Sequence, residues 1–490
     1  MLLNDELFFQ YQRCARRSYL DVWGDAQKQD PKTDFLRKLQ EDTIAHRLSV
    51  ISQFSYHQPQ YPNHDIFAGA KATIELMKQG VDIIYSGVLL AEYSPNFTLS
   101  SKPDLLIKYP GNSVFGNWLY LPAEIKLSKR PKLDYQIAVA FHAYLLSFTQ
   151  EVMPDLGFLF LRYRSNYPVN LEQRLPQMHQ RLNECIEMLE RRQEPEVFIS
   201  RHPCSNCHWY SSCYQVASEI CHLSLVPGVT PNRYAKLKEL NITTLAALAE
   251  VNPADLCEFP EFPEFVPQQV VLQAKSFIEN KGFLKPAALD ISEEDLPTMP
   301  IEMYFDIEAE PELNLFFLHG VLVVNKLTNT ELFYPFFAET PDDEIVIWEE
   351  FLKLVWQYPN APIYHFCEFE AQTIKQLARR YDTPTSLWFP LLNRCVDIHE
   401  RITRTTILPV QSYSLKSLAR WMGFKWQNSQ ANGAQCVCWY DEWLKTGNRD
   451  YLAAIQQYNE DDCRATYLIK NWLVNFLRNN STENLIAVDL

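Results

Sequence analysis

The stretch MYFDIEAEP, residues 303–311, sets two carboxylates, Asp306 and Glu308, two positions apart in an aromatic and apolar run. Such a run suits a strand, and strand side chains alternate between faces, so both acids project from one face. Two more apolar runs follow, LFFLHGVLVV at 315–324 and ELFYPFFAE at 331–339, and a helix-period stretch covers about 449–478. Within that stretch YNEDDCRATYLIKNWL places Tyr458 and Asp462 four residues apart, one above the other on a helical face. Between strands and helix, APIYHFCEFEAQTIKQL reads as strand into helix with Glu370 near the junction. Four carboxylates converging from separate elements repel unless divalent cations neutralise them, which is the ligand set of a two-metal phosphoryl site, with Tyr458 placed to orient water. Taken singly, each acid equally suits a solvated strand or helix end, and Tyr458 equally suits core packing.

These motifs together resemble the DEDD exonucleases of the RNase H-like fold, in the tyrosine subtype and closest to the YprB-like branch. SYSLKSLARWMGF, residues 412–424, also matches that pattern. The resemblance implies Asp306, Glu308, Glu370 and Asp462 as ligands of Mg²⁺ or Mn²⁺, Tyr458 as a catalytic partner, and release of mononucleotides from a 3′ end. Two features depart from the wider family: Glu370 stands where Asp is usual, and Asp461 adjoins Asp462, the four-residue offset favouring Asp462. Asp397 in CVDIHE is a helper near the site.

Outward from this stretch, 490 residues exceed one core and suggest about three domains at roughly 150 residues each. The expected divisions are a mixed α/β domain over 1–220, a helical module over 221–285, an acidic, proline-bearing linker over 286–299, and the α/β domain over 300–480. No secretory leader pattern opens the chain and no apolar run nears the roughly 18 residues that span a bilayer, so the expectation is a cytoplasmic protein with no membrane. Twelve cysteines there are unlikely disulfides, and clustered ones point to metal. A formal charge of −15 argues against coating nucleic acid by global attraction, though not against local basic grooves. The 13 glycines include no GxxxxGK[ST], so the chain carries no P-loop motor and any helicase would be a separate partner.

The N-terminal region holds a second constellation. PDLLIKYPGNSVFGNWLYLPAEIKL, residues 103–127, reads as two strands around the turn PGNSVFGN. Asp104 lies six residues before that turn and Glu124 seven after, so they oppose each other, and Glu124 and Lys126 share one face. Two hard oxygen ligands beside an ammonium suit a Mg²⁺ ion with its attacking water, the chemistry of phosphodiester hydrolysis. A lone Glu-x-Lys is more often a solvated surface pair. With the helix KLDYQIAVAFHAYLL behind it, carrying Gln136, the pattern resembles the RecB-like branch of the PD-(D/E)xK nucleases. The resemblance implies Asp104 and Glu124 as metal ligands, Lys126 and Gln136 in catalysis, and His46 in EDTIAHRLS as a further metal ligand. The tyrosine that follows the glutamine by four in many relatives is Ala140 here, with Tyr144 one turn later.

In HPCSNCHWYSSC, residues 202–213, Cys204, Cys207 and Cys213 lack a fourth partner. The iron–sulfur subgroup of RecB-like nucleases sets one cysteine before the core and three after, which implies Cys14 in YQRCARRSYL as the fourth ligand of a [4Fe–4S] cluster. A four-cysteine zinc site and unliganded thiols stay open, as do Cys185 and Cys221 as substitutes. Arg13, Arg16 and Arg17 surround Cys14 with positive charge.

The middle segment, LVPGVTPNRYAKLKELNITTLAALA, resembles a helix-hairpin-helix whose Gly228 turn presents backbone N–H groups to a phosphate. FPEFPEFVPQQVVLQAKSFIEN reads as a second, glycine-free copy, or the whole segment is a connector. The expectation is a metal-dependent nuclease of DNA, with RNA the alternative substrate, built from a RecB-like domain, a helical module and an RNase H-like domain. Two other classes remain: a nucleic-acid-binding repair scaffold with one or both sites inactive, and an iron–sulfur redox sensor that binds without cutting.

Overall fold

A computed structural model describes residues 1–62, 64–200, 204–285 and 295–486. The chain divides into two compact units, Met1–Ala217 and Ser218–Leu490, where sequence reading expects three domains. Residues 286–294 of the expected linker lie outside the described residues.

In the first unit the strands are β1 (Leu2–Asn4), β2 (Ile83–Tyr85), β3 (Leu89–Ser94), β4 (Phe97–Ser101), β5 (Leu105–Ser113), β6 (Gly116–Lys126), β7 (Leu156–Leu161) and β8 (Arg164–Asn170). They form one sheet in the order β2-β5-β6-β7-β8 and a smaller one in the order β1-β4-β3. The β5–β6 hairpin closes at Ser113 opposite Gly116, whose φ of +128° suits a residue without Cβ. β6 and β7 run parallel, so a crossover must join them, and the helix Leu133–Gln150 supplies it. That helix is apolar nearly all round, and it is accordingly buried against β6 and β7 of one sheet and β3 and β4 of the other.

In the second unit β9 (Phe283–Leu284) precedes the main strands β10 (Ile301–Glu310), β11 (Leu315–Asn325), β12 (Thr330–Phe337), β13 (Ile363–His365) and β14 (Cys395–Asp397), and β15 (Thr406–Ile407) follows them. The main sheet has the order β12-β11-β10-β13-β14: an antiparallel meander of β10, β11 and β12 with β13 and β14 added in parallel. The helical segment expected to stand alone belongs to this unit. β9 at its end pairs with β15, and the buried Gln273 donates to the carbonyl of Leu408, so its backbone and a core side chain are satisfied by the α/β domain.

Strand alternation decides what β10 presents. Met303, Phe305 and Ile307 join the core with Trp348, Phe351 and Ile374 on one side of the sheet. Tyr304 points to the other, with Tyr364, Ile455 and Ile469. Asp306 and Glu308 share the parity of Tyr304 and face the long helix Arg449–Ile486. Helix and sheet meet closely there: a Cβ added at Gly320 would lie 1.6 Å from Oδ1 of Asn459. Gly320→Ala must push Asn459 and its helix away, and we expect it to cost about 1–3 kcal/mol of stability, measured by denaturant unfolding.

His319, on the other face of β11, is fully buried among Phe305, Phe351 and Trp348, and neither ring nitrogen has a hydrogen-bond partner among the described residues. Burial pushes its pKa down to about 3. The folded ring therefore stays neutral where an unfolded one, near 6.5, takes up a proton. Its contribution to stability is intact above about pH 6.5 and falls by about 1.4 kcal/mol per unit as pH drops from there toward 3. His319→Phe should flatten that part of the pH–stability curve, as read from unfolding midpoints; equal slopes in both proteins would contradict it.

Candidate active sites

In the second unit Asp306, Glu308 and Asp462 bring carboxylate oxygens all within 4.8 Å of one another. Burial, and then the charge of Asp462, drives the carboxyls of Asp306 and Glu308 well above the usual carboxylate range. Asp462 rises to about 6 through burial, against the hydrogen bonds it receives from Trp426 and Tyr458. The cage around them is ordered: Nε1 of Trp426 donates to Oδ1 of Asp462 (2.6 Å), and Nδ2 of Asn459 donates to Oδ2 of Asp306 (2.6 Å). Burial and the same acids hold the Tyr458 phenol far up, so it is a neutral hydroxyl bonded to Asp462. The ammonium of Lys416 lies 4.8 Å from the centre of the Tyr458 ring and offsets part of the charge on Glu308 and Asp462. Of the acidic neighbours, Asp461 turns away and accepts the N–H of Gln427 (2.8 Å).

Glu370 is buried in the first turn of the helix Phe369–Arg380 and adds to the repulsion at Asp306 and Glu308. Its Oε2 lies 3.5 Å from Nδ1 of His365, and it stands outside the 4.8 Å set. Asp397 raises the Glu370 carboxyl by its charge and also shapes the approach to it. Its Oδ1 accepts the N–H groups of His399 and Cys367 (both 2.9 Å), fixing the turn where Cys367 has φ +81° just before the Glu370 helix. Buried carboxylate oxygens with one lysine nearby are the hard donor set that Mg²⁺ or Mn²⁺ takes, and the residues fit such an ion.

In the first unit Asp104 directly precedes β5 and Glu124 lies near the end of β6. Both are buried. Oδ2 of Asp104 accepts the N–H of Ile125 (2.8 Å), and Oδ1 pairs with Nε of Arg47 (2.8 Å). Glu124 is held at one oxygen by Lys126 and at the other by His142, whose Nε2 donates over 2.7 Å. Burial and the charge of Glu124 lift Asp104 to about 6. For Glu124 burial pushes upward, yet Lys126 and His142 outweigh it and hold the carboxyl down at about 2. Gln136 is buried, donates to the carbonyl of Pro131 (2.7 Å) and accepts from Arg174 (2.9 Å). From the helix Asp34–Ile51 it is Arg47, the residue after His46, that meets Asp104; His46 itself is half-buried there. Two facing carboxylates fit one divalent ion, although Arg47, Lys126 and His142 already balance their charge.

The four cysteines are neighbours within this unit. Cys14 and Cys213 each raise the Cys204 thiol after burial does, and Cys14 and Cys204 act likewise on Cys207, which burial lifts to about 11. Their sulfurs accept backbone N–H groups, Cys14 from Arg17 (3.4 Å), Cys204 from Ser200 (3.3 Å) and Cys207 from Trp209 (3.4 Å). Arg16 and Arg17 offset charge at Cys213 and Cys207. Asp21 clamps the segment by accepting from His208 and from Nε1 of Trp209 (both 2.7 Å). Half-buried thiols are the donors a soft metal centre takes, although among the described residues no three of these sulfurs lie within 4.8 Å of one another. Cys185 is buried in the core cluster and Cys221 is exposed.

Gly228 has φ +91° three residues before the helix Pro231–Glu239, and Glu264 has φ +47° two residues before Val266–Glu279. Nε and Nη1 of Arg233 donate to the carbonyls of Glu261 (2.8 Å) and Gly228 (2.7 Å), tying the two turns together.

Several supporting groups escaped sequence reading: Arg47, His142, Lys416, Trp426 and Asn459. His142 carried a signal, as a polar residue in an otherwise apolar helix. Lys416 lies in the segment SYSLKSLARWMGF that carried the resemblance, though without a role of its own, and Trp426 carried no signal, because only the fold returns it to Asp462.

No helix among the described residues is long and apolar enough to cross a membrane. None of the curated proteins compared matches the sequence. A family model described as the RNase_H superfamily matches residues 303–474, a span that opens at the β10 acids and takes in Glu370, Tyr458 and Asp462. The segment 303–474 is thus an RNase H-like domain.

Proposed function

We propose that the chain is a metal-dependent nuclease and that the acidic cluster of its RNase H-like domain hydrolyses phosphodiester bonds from a 3′ end. The observation that carries this reading is the set of three carboxylates within 4.8 Å, Glu308 and Asp462 buried, Asp306 half-buried and all raised in pKa, with Asp306 and Glu308 on one strand and Asp462 on the long helix. Divalent ions held there would stabilise charge on the phosphate and supply an activated water. The neutral hydroxyl of Tyr458 is placed to position that water, Trp426 and Asn459 fix the carboxylates, and Glu370 completes the acidic wall. Water attacks phosphorus, the bond to the 3′ oxygen breaks, and that oxygen leaves with a proton.

The first unit adds a RecB-like site that acts on single-stranded DNA, with Asp104 and Glu124 as ligands and Lys126 orienting the water. Cys14, Cys204, Cys207 and Cys213 hold a [4Fe–4S] cluster that ties the N-terminus to the end of the unit. The helical segment grips phosphate at the Gly228 turn. A second reading of the first unit, binding without cutting, is favoured by the occupation of both carboxylates, Asp104 by Arg47 and the N–H of Ile125, and Glu124 by Lys126 and His142.

Cleavage of end-labelled single- and double-stranded DNA and RNA decides between them. Asp306→Ala should abolish release of mononucleotides, and Lys126→Ala the cutting that needs a single-stranded stretch, each by orders of magnitude and each sparing the other activity. A parental product pattern in Lys126→Ala would leave the first unit as a binding domain. Protein purified without oxygen should be brown, with about four irons per chain. Cys14→Ser should lose the colour and Cys367→Ser keep it; zinc in place of iron would contradict the cluster.

A further inference from the structure

We infer that the rim of the first unit's carboxylate site is a stacking track for single-stranded nucleic acid, with Tyr163 and Tyr135 as base platforms and the loop between β6 and the next helix as its phosphate clamp. This deepens the proposed single-strand activity by naming the surface that selects the strand, and it rests on that reading only for the cutting that follows binding.

A chain of net charge −15 concentrates Lys126, Lys129, Arg130 and Lys132 in the seven residues KLSKRPK at the mouth of this site. The last three are exposed. Beside them, at the tip of the β7–β8 hairpin, Tyr163 is 65% exposed, a ring that contributes nothing to a core. Nζ of Lys129 lies 5.2 Å from its centre and the guanidinium of Arg162 5.3 Å. The clamp is held in shape rather than left to wander. The N–H of Arg162 donates to the carbonyl of Ser128 (3.3 Å), and Oγ of Ser128 donates to the carbonyl of Arg130 (3.0 Å).

Inward, Tyr135 stacks on Phe9 at 5.8 Å and 12°, with Nζ of Lys132 5.9 Å and Nζ of Lys126 5.8 Å from its ring. Lys126 in turn pairs with the buried Glu124. Aromatic faces and cations therefore alternate from the exposed hairpin tip to the carboxylates. The helix offers no alternative platform one turn further on: Ala140 is fully buried, and Tyr144 packs edge-on against His179 (4.6 Å). Cations packed around the exposed Tyr163 and the half-buried Tyr135 repel each other until an anion arrives, and base faces are open to rings only in a single strand. A duplex offers the phosphates alone.

Binding is measured on the full chain, without divalent ions, by anisotropy of a labelled oligothymidine and of a duplex of equal length. Tyr163→Ala should weaken the single strand about tenfold and leave the duplex unchanged, while Tyr163→Phe stays near the parent. Replacing Lys129, Arg130 and Lys132 together by Gln should reduce the slope of log affinity against log salt by about 2. Strands carrying photoreactive thymines should crosslink to peptides containing Tyr135 and Tyr163. An unchanged affinity in Tyr163→Ala, an equal loss for duplex, or crosslinks confined to residues 303–474 would each overturn the track. If binding falls as expected while Lys126→Ala leaves cutting intact, the track stands and the nuclease reading of the first unit falls.

Discussion

Mutual repulsion among buried carboxylates is the constraint around which the second unit is organised. Asp306, Glu308 and Asp462 crowd within 4.8 Å, and Glu370 adds to the field. Their desolvation alone disfavours ionisation, and their proximity compounds it. A fold whose only task was stability would not gather them, since unpaired buried charge is costly. What holds them is a set of directed contacts, from Trp426, Asn459 and the Asp397 turn, that fix the oxygens in place without neutralising them. Strain of this kind, maintained by surrounding structure, is what a site that awaits a cation requires.

The first unit solves a similar problem differently. Asp104 and Glu124 are matched by Arg47, Lys126 and His142, so charge balance is reached within the protein. A cation arriving there has to compete with a guanidinium already seated on Asp104. The second unit presents acidic groups that Lys416 offsets only in part, the first a balanced cluster, and this difference is why the acidic cluster of residues 303–474 anchors the functional reading.

Local periodicity made part of this legible. Alternation in MYFDIEAEP put Asp306 and Glu308 on one face, and the four-residue offset selected Asp462 over Asp461, as the folded helix also does. The β5–β6 hairpin and its turn were likewise readable, since apolar strands flank a glycine-bearing turn. Long-range partners were not. Arg47 is 57 residues from Asp104, and nothing in its own sequence surroundings marks it as a ligand clamp. The helical segment falls within the second compact unit, tied to the α/β domain by a two-residue strand, β9, and the side chain of Gln273, and its local composition shows neither contact.

The central claim is that the acidic cluster is a divalent-cation site. Anomalous diffraction from crystals soaked in Mn²⁺ tests it most directly, because it locates the ion independently of any activity. The account predicts manganese ligated by Asp306, Glu308 and Asp462, and its loss in Asp306→Ala. Crystals saturated with Mn²⁺ that show no anomalous peak between β10 and the Asp462 helix would contradict it.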